Sequence, residues 1–330
     1  METGLTTEIL AASEAATALA ARCLKQGGLV AFPTETVYGL GADAANATAI
    51  ARLYQAKGRP AFNPLIATVS DLKAARRIGR FDAQAIALTK AFWPGPLTLV
   101  VPKAADCPVA ELATAGLDTV AIRVPAHPVA RAILRAFGTA VVAPSANLSG
   151  HVSPTTADHV RSDLEGRIDL IIDGGPVEVG VESTIVGCFE APMLLRPGGV
   201  PREAIERVLG RRLLRPPAEA ESDSGQPLAP GMLASHYAPR TRVRLNASRV
   251  EAGEALLAFG EQALPGTKQA AAVMNLSPRR DLAEAAANLF GYLRALDARG
   301  AQAIAVMSIP DEGLGEAIND RLRRAAAERK

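Results

Sequence analysis

LVAFPTETVYGLGADAANATAIARLYQAKGRPAFNPLIATV, residues 29–69, reads as strand, polar loop, helix, rigid turn and strand in succession. Residues 29–32 form a short apolar run halted by Pro33, the mark of a buried strand. Asn46 can accept the first free N–H groups of a helix through Ala56, with Ala49, Ile50, Leu53 and Tyr54 on one face and Gly58 as its stop. Asn63-Pro64 breaks the chain before residues 65–69, a second strand. Outward from this stretch the alternation continues. Asp82 caps a helix that ends near Trp93, Pro94-Gly95-Pro96 closes it, and residues 97–101 follow as a strand. Residues 120–124 read as a strand, and 127–137 as a helix with Pro128 near its start and Gly138 just past its end. Residues 140–143, 170–172, 184–186 and 194–195 are further apolar runs. Strands outnumber helices, which predicts a mixed sheet rather than a regular doubly wound one.

Residues 211–230 differ: basic first, then Pro216-Pro217, with Glu, Ser and Gly and few large apolar residues. Such a composition reads as a linker. Beyond it, residues 243–245, a helix near 251–259, residues 271–274, a helix over 281–297, residues 303–309 and a helix over 315–327 form a β-α-β-α-β-α series. That series predicts a small parallel-sheet domain.

The chain has 330 residues, 48% hydrophobic and 21% charged, with a net charge of +2. A sizeable core is affordable, and the near-neutral charge gives no broad footprint for nucleic acid or an anionic membrane. Cys23, Cys107 and Cys188 are far apart and odd in number, which argues against a disulfide framework and for a reducing cytosol. The N-terminus lacks the basic start and apolar run of a signal peptide, and no apolar stretch is long enough for a bilayer.

Several familiar signals fail. Gly39-Leu40-Gly41-Ala42-Asp43-Ala44 fits a loose dinucleotide pattern, but Pro33-Thr34-Glu35 separates it from the strand and the later acidic residue is missing. There is no Walker-type loop. Ser145 and Ser183 lack the G-x-S-x-G elbow, and the four histidines show no metal-ligand spacing.

Four segments hold more polar and special-geometry residues than connections need: 33–41, 57–64, 143–150, and 182–184 with 195–198. Lys57 and Arg59, two residues apart past a helix end, suit a polyphosphate, as point charge and planar fork. They also suit the helix dipole alone. Ser145 and Asn147 follow an apolar strand, where ligands of open α/β sheets sit, yet they can equally be turn formers. Arg123 lies inside a strand run, where a cation needs an anion to meet it; a ligand carboxylate would serve.

FPTETVYGLG, KGRPAFNPL, WPGPLTLV, APSANLSG and ESTIV, in this order, resemble the YrdC-like domain of threonylcarbamoyl-AMP synthases over about residues 28–210. Ser235-His236-Tyr237-Ala238-Pro239 and the C-terminal α/β segment resemble the two-domain form. The resemblance implies a YrdC-like twisted mixed open sheet (residues 1–210), a linker or lid (211–239) folding over the cleft, and a small Rossmann-like parallel domain (240–330). It implies a nucleotidyltransferase that forms threonylcarbamoyl-AMP and pyrophosphate from L-threonine, bicarbonate and ATP in the cytoplasm. The product would go to the tRNA threonylcarbamoyl-transferase machinery. Lys57 and Arg59 would be catalytic. They would bind ATP with Asn63, Thr119, Ser145, Asn147, Ser153, Arg196 and Tyr237. Thr36, Arg123, Ala143 and Ser183 would surround L-threonine. Thr68 joins them, although some relatives carry histidine there. Mg2+ is expected on the ATP phosphates, without a protein metal cage. The same resemblance admits other classes: a double-stranded RNA-binding module or weak RNA contact, a carbamoyl-transfer enzyme of hydrogenase maturation, or a small-molecule binding protein. The charge balance, the lack of cysteine-rich zinc modules, and the retained Lys57, Arg59, Ser145 and Asn147 weigh against each in turn.

Overall fold

The computed structural model describes residues 5–216, 229 and 237–327. Ten strands build the larger sheet: β1 (Glu8–Ala11), β2 (Val30–Pro33), β3 (Tyr38–Asp43), β4 (Ile66–Thr68), β5 (Leu97–Pro102), β6 (Thr119–Arg123), β7 (Val141–Val142), β8 (Leu170–Asp173), β9 (Thr184–Gly187) and β10 (Met193–Arg196). Their order is β1-β8-β2-β3-β7-β4-β6-β5-β9-β10. Both parallel and antiparallel pairs occur, so the predicted mixed sheet is found. The dinucleotide pattern falls on β3, which runs antiparallel to β2 and starts no helix.

Local signals explain several elements. Helix α2 (Ala47–Lys57) begins where the Asn46 side chain accepts from the Thr48 and Ala49 N–H groups. It ends at Gly58, whose φ of 59° lies in the left-handed region that glycine adopts without strain. Asp82 caps α4 (Ala83–Phe92), and α6 (Pro128–Phe137) carries Pro128 in its first turn and ends at Gly138. Helices α3 (Leu72–Arg76), α5 (Glu111–Thr114), α7 (Ala157–Leu164) and α8 (Arg202–Leu209) take their places between and after these in chain order. Residues 5–27 supply β1 and α1 (Glu14–Lys25), which the motif-based reading passed over.

Side chains alternate across each strand, so one sheet carries two unlike faces. One face bears the main core: Ala67, Leu97, Leu99, Val101, Val120 and Ile122 against α2, α4 and neighbouring helices. On the other face, α1 and α6 cover the end around β2 and β8. Further along, among the described residues, that face carries a small cluster, Ile66, Val100, Ala121, Ile185 and Leu195, with Ala229 of the linker upon it. There the cross-strand partners Thr68, Arg123 and Thr98 form a polar row over β4, β6 and β5. This strip is the floor of the candidate site.

The second sheet has the order β11-β14-β12-β13, with β11 (Arg242–Arg244), β12 (Glu254–Ala258), β13 (Val273–Asn275) and β14 (Ala303–Val306), all parallel. Helices α9 (Leu282–Asp297) and α10 (Leu314–Ala326) pack on it. The predicted helix near 251–259 is corrected: the segment is strand β12, so the order is β-β-β-α-β-α. Ala and Leu favour helix locally, but every residue of β12 is buried between two parallel neighbours. Central parallel strands read as continuous apolar runs without alternation. Val37, Val152 and Val181 of the first unit join the core of the second, and ion pairs Arg202–Glu316 and Arg294–Asp163 also cross between them. Most of the expected linker or lid lies outside the described residues. Among the described residues no helix is long and apolar enough to cross a membrane.

Candidate active site

The β2–β3 loop is wound around one hydroxyl. Thr34 Oγ1 accepts from the N–H groups of Thr36 and Val37 and donates to Val37 O at 2.6 Å. Its proton is thereby spent, so the 2.8 Å contact between Thr34 and Thr36 Oγ1 has Thr36 as donor. Thr36 Oγ1 in turn accepts from Arg123 Nη2 at 2.9 Å. The same Nη2 donates to Glu35 Oε1 at 2.8 Å, and Glu35 Oε2 accepts from the N–H groups of Ala126 and His127. The anion that meets Arg123 is therefore Glu35, not only a ligand. Arg123 Nε donates to Gly95 O at 3.4 Å, and among the described residues no hydrogen bond of Nη1 is found. Burial pushes the Glu35 carboxyl up, but Arg123 and the backbone N–H groups outweigh it and hold it below the usual value.

Thr68 and Thr98 flank Arg123 on the neighbouring strands. Thr98 Oγ1 shares a 2.7 Å hydrogen bond with Ser183 Oγ. Arg196, from β10, donates to Ser183 O at 3.0 Å and to Ser183 Oγ at 3.2 Å. Gly198 lets this turn lie flat on the next: a Cβ there would sit 2.3 Å from Glu182 O. Ala143 joins the same strip through its N–H to Ile66 O. Thr36, Thr68, Arg123, Ala143 and Ser183 thus converge as a group.

Lys57, the last residue of α2, turns its ammonium into the 143–150 loop. Nζ donates to Ser145 O at 2.6 Å and to Asn147 O. Its head group thus serves that loop and not its own helix end. Arg59 donates to Asn63 O and Pro64 O, closing its own rigid turn. Both cations are buried, at 2% and 9% exposure, and among the described residues neither forms an ion pair. Arg59 Nε, Asn63 Oδ1 and Asn147 Oδ1 are buried without a hydrogen bond among the described residues. Polar groups in that state cost folding free energy unless a partner arrives. Burial, followed by the charge of Arg59, holds the Lys57 ammonium well below the usual lysine value, against Asp163. Burial likewise lowers Arg59 to about 10, with Tyr54 and Tyr237 opposing and Arg196 adding to the effect.

Ser153 donates to Glu182 Oε1, whose partner oxygen accepts from Arg321 Nε at 2.7 Å. Tyr237 lies with Arg321 over its ring. Thr119 stands apart, at the far end of β6, yet on the same face as Arg123 and about 13 Å from it at 3.3 Å per residue. Among the described residues no group of three or more His, Cys, Asp or Glu side chains converges as for a metal. Both carboxylates of the cleft, Glu35 and Glu182, are engaged by arginines.

Glu35, Thr98, Glu182 and Arg321 were assigned no role from sequence. Arg321 had a signal: Ala317, Ile318, Leu322 and Ala325 form the buried stripe of α10, and Arg321 lies inside it.

Residues 22–198 match the Sua5–YciO–YrdC family, described as "Telomere recombination", and residues 200–327 match "Threonylcarbamoyl-AMP synthase, C-terminal domain". A threonylcarbamoyl-AMP synthase of Bacillus subtilis is 41% identical over 336 residues, covering 98% of this chain and 96% of that one. Another, of Pyrococcus abyssi, is 42% identical over 325 residues, covering 94% of each. The crystal structure of P. abyssi Sua5 complexed with L-threonine superposes with a TM-score of 0.88 at 38% identity, covering 97% of both chains. The chain belongs to the threonylcarbamoyl-AMP synthases, a family of enzymes of the nucleotidyltransferase type.

Proposed function

We propose that this protein forms threonylcarbamoyl-AMP and pyrophosphate from L-threonine, bicarbonate and ATP, in the cytoplasm. A tRNA threonylcarbamoyl-transferase would then consume the product to make threonylcarbamoyladenosine. The observation that carries the reading is the buried pair Lys57 and Arg59, which have no carboxylate partner among the described residues. Two such cations ask for a polyanion, and a polyphosphate offers both a point-charge site and a fork. Arg123 offers its guanidinium to an amino-acid carboxylate while Glu35 offsets part of its charge. Thr36, Thr68, Ala143 and Ser183 line that end, and Asn63, Thr119, Ser145, Asn147, Ser153, Arg196 and Tyr237 the nucleotide end.

In this reaction the threonine amine combines with bicarbonate, losing water, to give a carbamate. A carbamate oxygen forms a bond to the α-phosphorus of ATP, and the bond from that phosphorus to the bridging oxygen of pyrophosphate breaks. No protein nucleophile is required. The protein positions two mutually repelling anions and stabilises charge on the departing pyrophosphate. Mg2+ would be held by phosphate oxygens, since the cleft carboxylates are engaged by arginines; it would supply Lewis-acid stabilisation of the phosphates. With 13C-bicarbonate, the reading requires a labelled product with the mass of threonylcarbamoyl-AMP; a product formed without label incorporation would count against it.

Lys57 gives a proton-linkage prediction. Its pKa is depressed in the free protein, and a bound polyphosphate raises it again. Between those two values ATP binding takes up a proton, so affinity falls as pH rises through that window. Calorimetry in buffers of different ionisation heat should therefore give buffer-dependent enthalpies. Lys57→Arg, whose charge does not titrate there, should remove that dependence; buffer-independent enthalpies at every pH up to the ordinary lysine value in the wild type would contradict the assignment.

A further inference from the structure

The least expected charge in the protein is Arg321. It is 0% exposed, on the apolar stripe of α10 in the C-terminal unit. Burying a guanidinium is costly unless every direction is met. Here each one is. Nε donates to Glu182 Oε2 at 2.7 Å, Nη1 to Asp320 Oδ2 at 2.5 Å, and Nη2 to Pro197 O at 3.0 Å. Its guanidinium carbon lies over the Tyr237 ring, 5.0 Å from the centroid. Phe290 of α9 stacks on that ring at 5.6 Å and 25°, so the C-terminal unit clasps the tyrosine with a cation and an aromatic ring. Glu182 in turn holds Ser153 through its other oxygen, and Ser183, the next residue, receives Arg196. One side chain of the second unit therefore reaches the 153, 182, 197 and 237 positions of the cleft together.

Joining the two units does not need this. Arg202–Glu316 and Arg294–Asp163 already cross between them, with the first pair about one-fifth exposed on each side. Neither of those arginines contacts the cleft groups that Arg321 gathers. With Glu182, Asp320 and Tyr237 around it, Arg321 stays charged despite burial, and Glu182, next to Arg321 and Arg196, stays ionised.

We propose that Arg321 is a positioning residue through which the C-terminal domain sets the Glu182–Ser153 pair and the Tyr237 ring at the nucleotide end of the cleft. The inference rests on the reading that Ser153 and Tyr237 lie against ATP. It gives the C-terminal domain a direct part in nucleotide affinity.

The test compares full-length Arg321→Gln, Arg321→Lys and Arg202→Gln with wild type, measuring ATP and L-threonine affinities separately by calorimetry alongside the KM for each. Arg321→Gln should weaken ATP binding about 10- to 100-fold, the range for losing a hydrogen bond to a charged group, and leave threonine affinity within about two-fold. Arg321→Lys should recover little, because an ammonium cannot bond three directions and cover a ring at once. Arg202→Gln should move neither affinity. Glu182→Gln carries the same prediction from the other end of the pair with little change of shape, and serves where Arg321→Gln does not fold. Equal losses for both ligands in Arg321→Gln or in Glu182→Gln, or an Arg202→Gln effect of the same size, would overturn the inference and leave the proposed function intact. Wild-type protein that binds both ligands, shows the selective ATP loss in the variants, yet makes no product would uphold the inference and sink the proposed function.

Discussion

Lys57→Ala should lower pyrophosphate release by about 10²- to 10³-fold, the usual effect of removing one preorganised group that stabilises developing charge. The fold should survive. The substitution strips Ser145 O and Asn147 O of their shared donor, at about 1–3 kcal/mol. It also removes a buried cation that has no ion-pair partner among the described residues, which offsets part of that cost. A far-UV circular dichroism spectrum and melting curve close to wild type, beside the lost activity, is the expected combination. Lys57→Arg should not restore the rate, because the space between two carbonyls suits a compact ammonium rather than a fork. Arg59→Ala should act in the same direction, since Arg59 shares the polyphosphate and closes the 59–64 turn. A near-wild-type rate in Lys57→Ala would show that the charge of Lys57 is not applied to the reacting phosphates.

Glu35→Gln should cost about 3–5 kcal/mol of stability, the range for breaking one side of a buried ion pair. The pair is closed to solvent, with side-chain exposures of 9% for Arg123 and 8% for Glu35. The neutral amide leaves the guanidinium uncompensated and weakens the anchor at the Ala126 and His127 N–H groups. Urea unfolding measures the difference through the midpoint at constant slope. The pH dependence has a definite sign. The folded pKa of Glu35 lies below its unfolded value, so its stabilisation is present above the unfolded value and is lost as pH falls through the folded one. Wild type should lose this part of its stability in acid, whereas Glu35→Gln should show a flatter acid limb. Parallel acid limbs with equal midpoints would mean the ion pair contributes nothing.

The local features of the fold were the legible ones. Asn46 and Gly58 bound α2 because capping and left-handed stops are properties of single residues. The 254–258 strand was misread because its identity comes from two neighbours far along the chain, not from its own composition. The site divides the same way. Arg123 was conspicuous as a cation in a strand, but Glu35 lies 88 residues away in a loop, and no local pattern links them. Arg321 stood in plain view within an apolar helical stripe. Its partner Glu182 is 139 residues distant, so only the folded chain joins them. The polar row of Thr68, Arg123 and Thr98 is likewise a product of strand register, which sequence spacing does not supply.

In the proposed function, buried Lys57 and Arg59 hold the polyphosphate of a threonine- and bicarbonate-dependent reaction. Pyrophosphate release by the full chain, with ATP and Mg2+ and with bicarbonate and each amino acid supplied or withheld, tests it most directly. Release should occur only when L-threonine and bicarbonate are both present, and should be lost in Lys57→Ala and Arg59→Ala proteins that remain folded. Release that ignores threonine or bicarbonate, or persists unchanged in both variants, would contradict it.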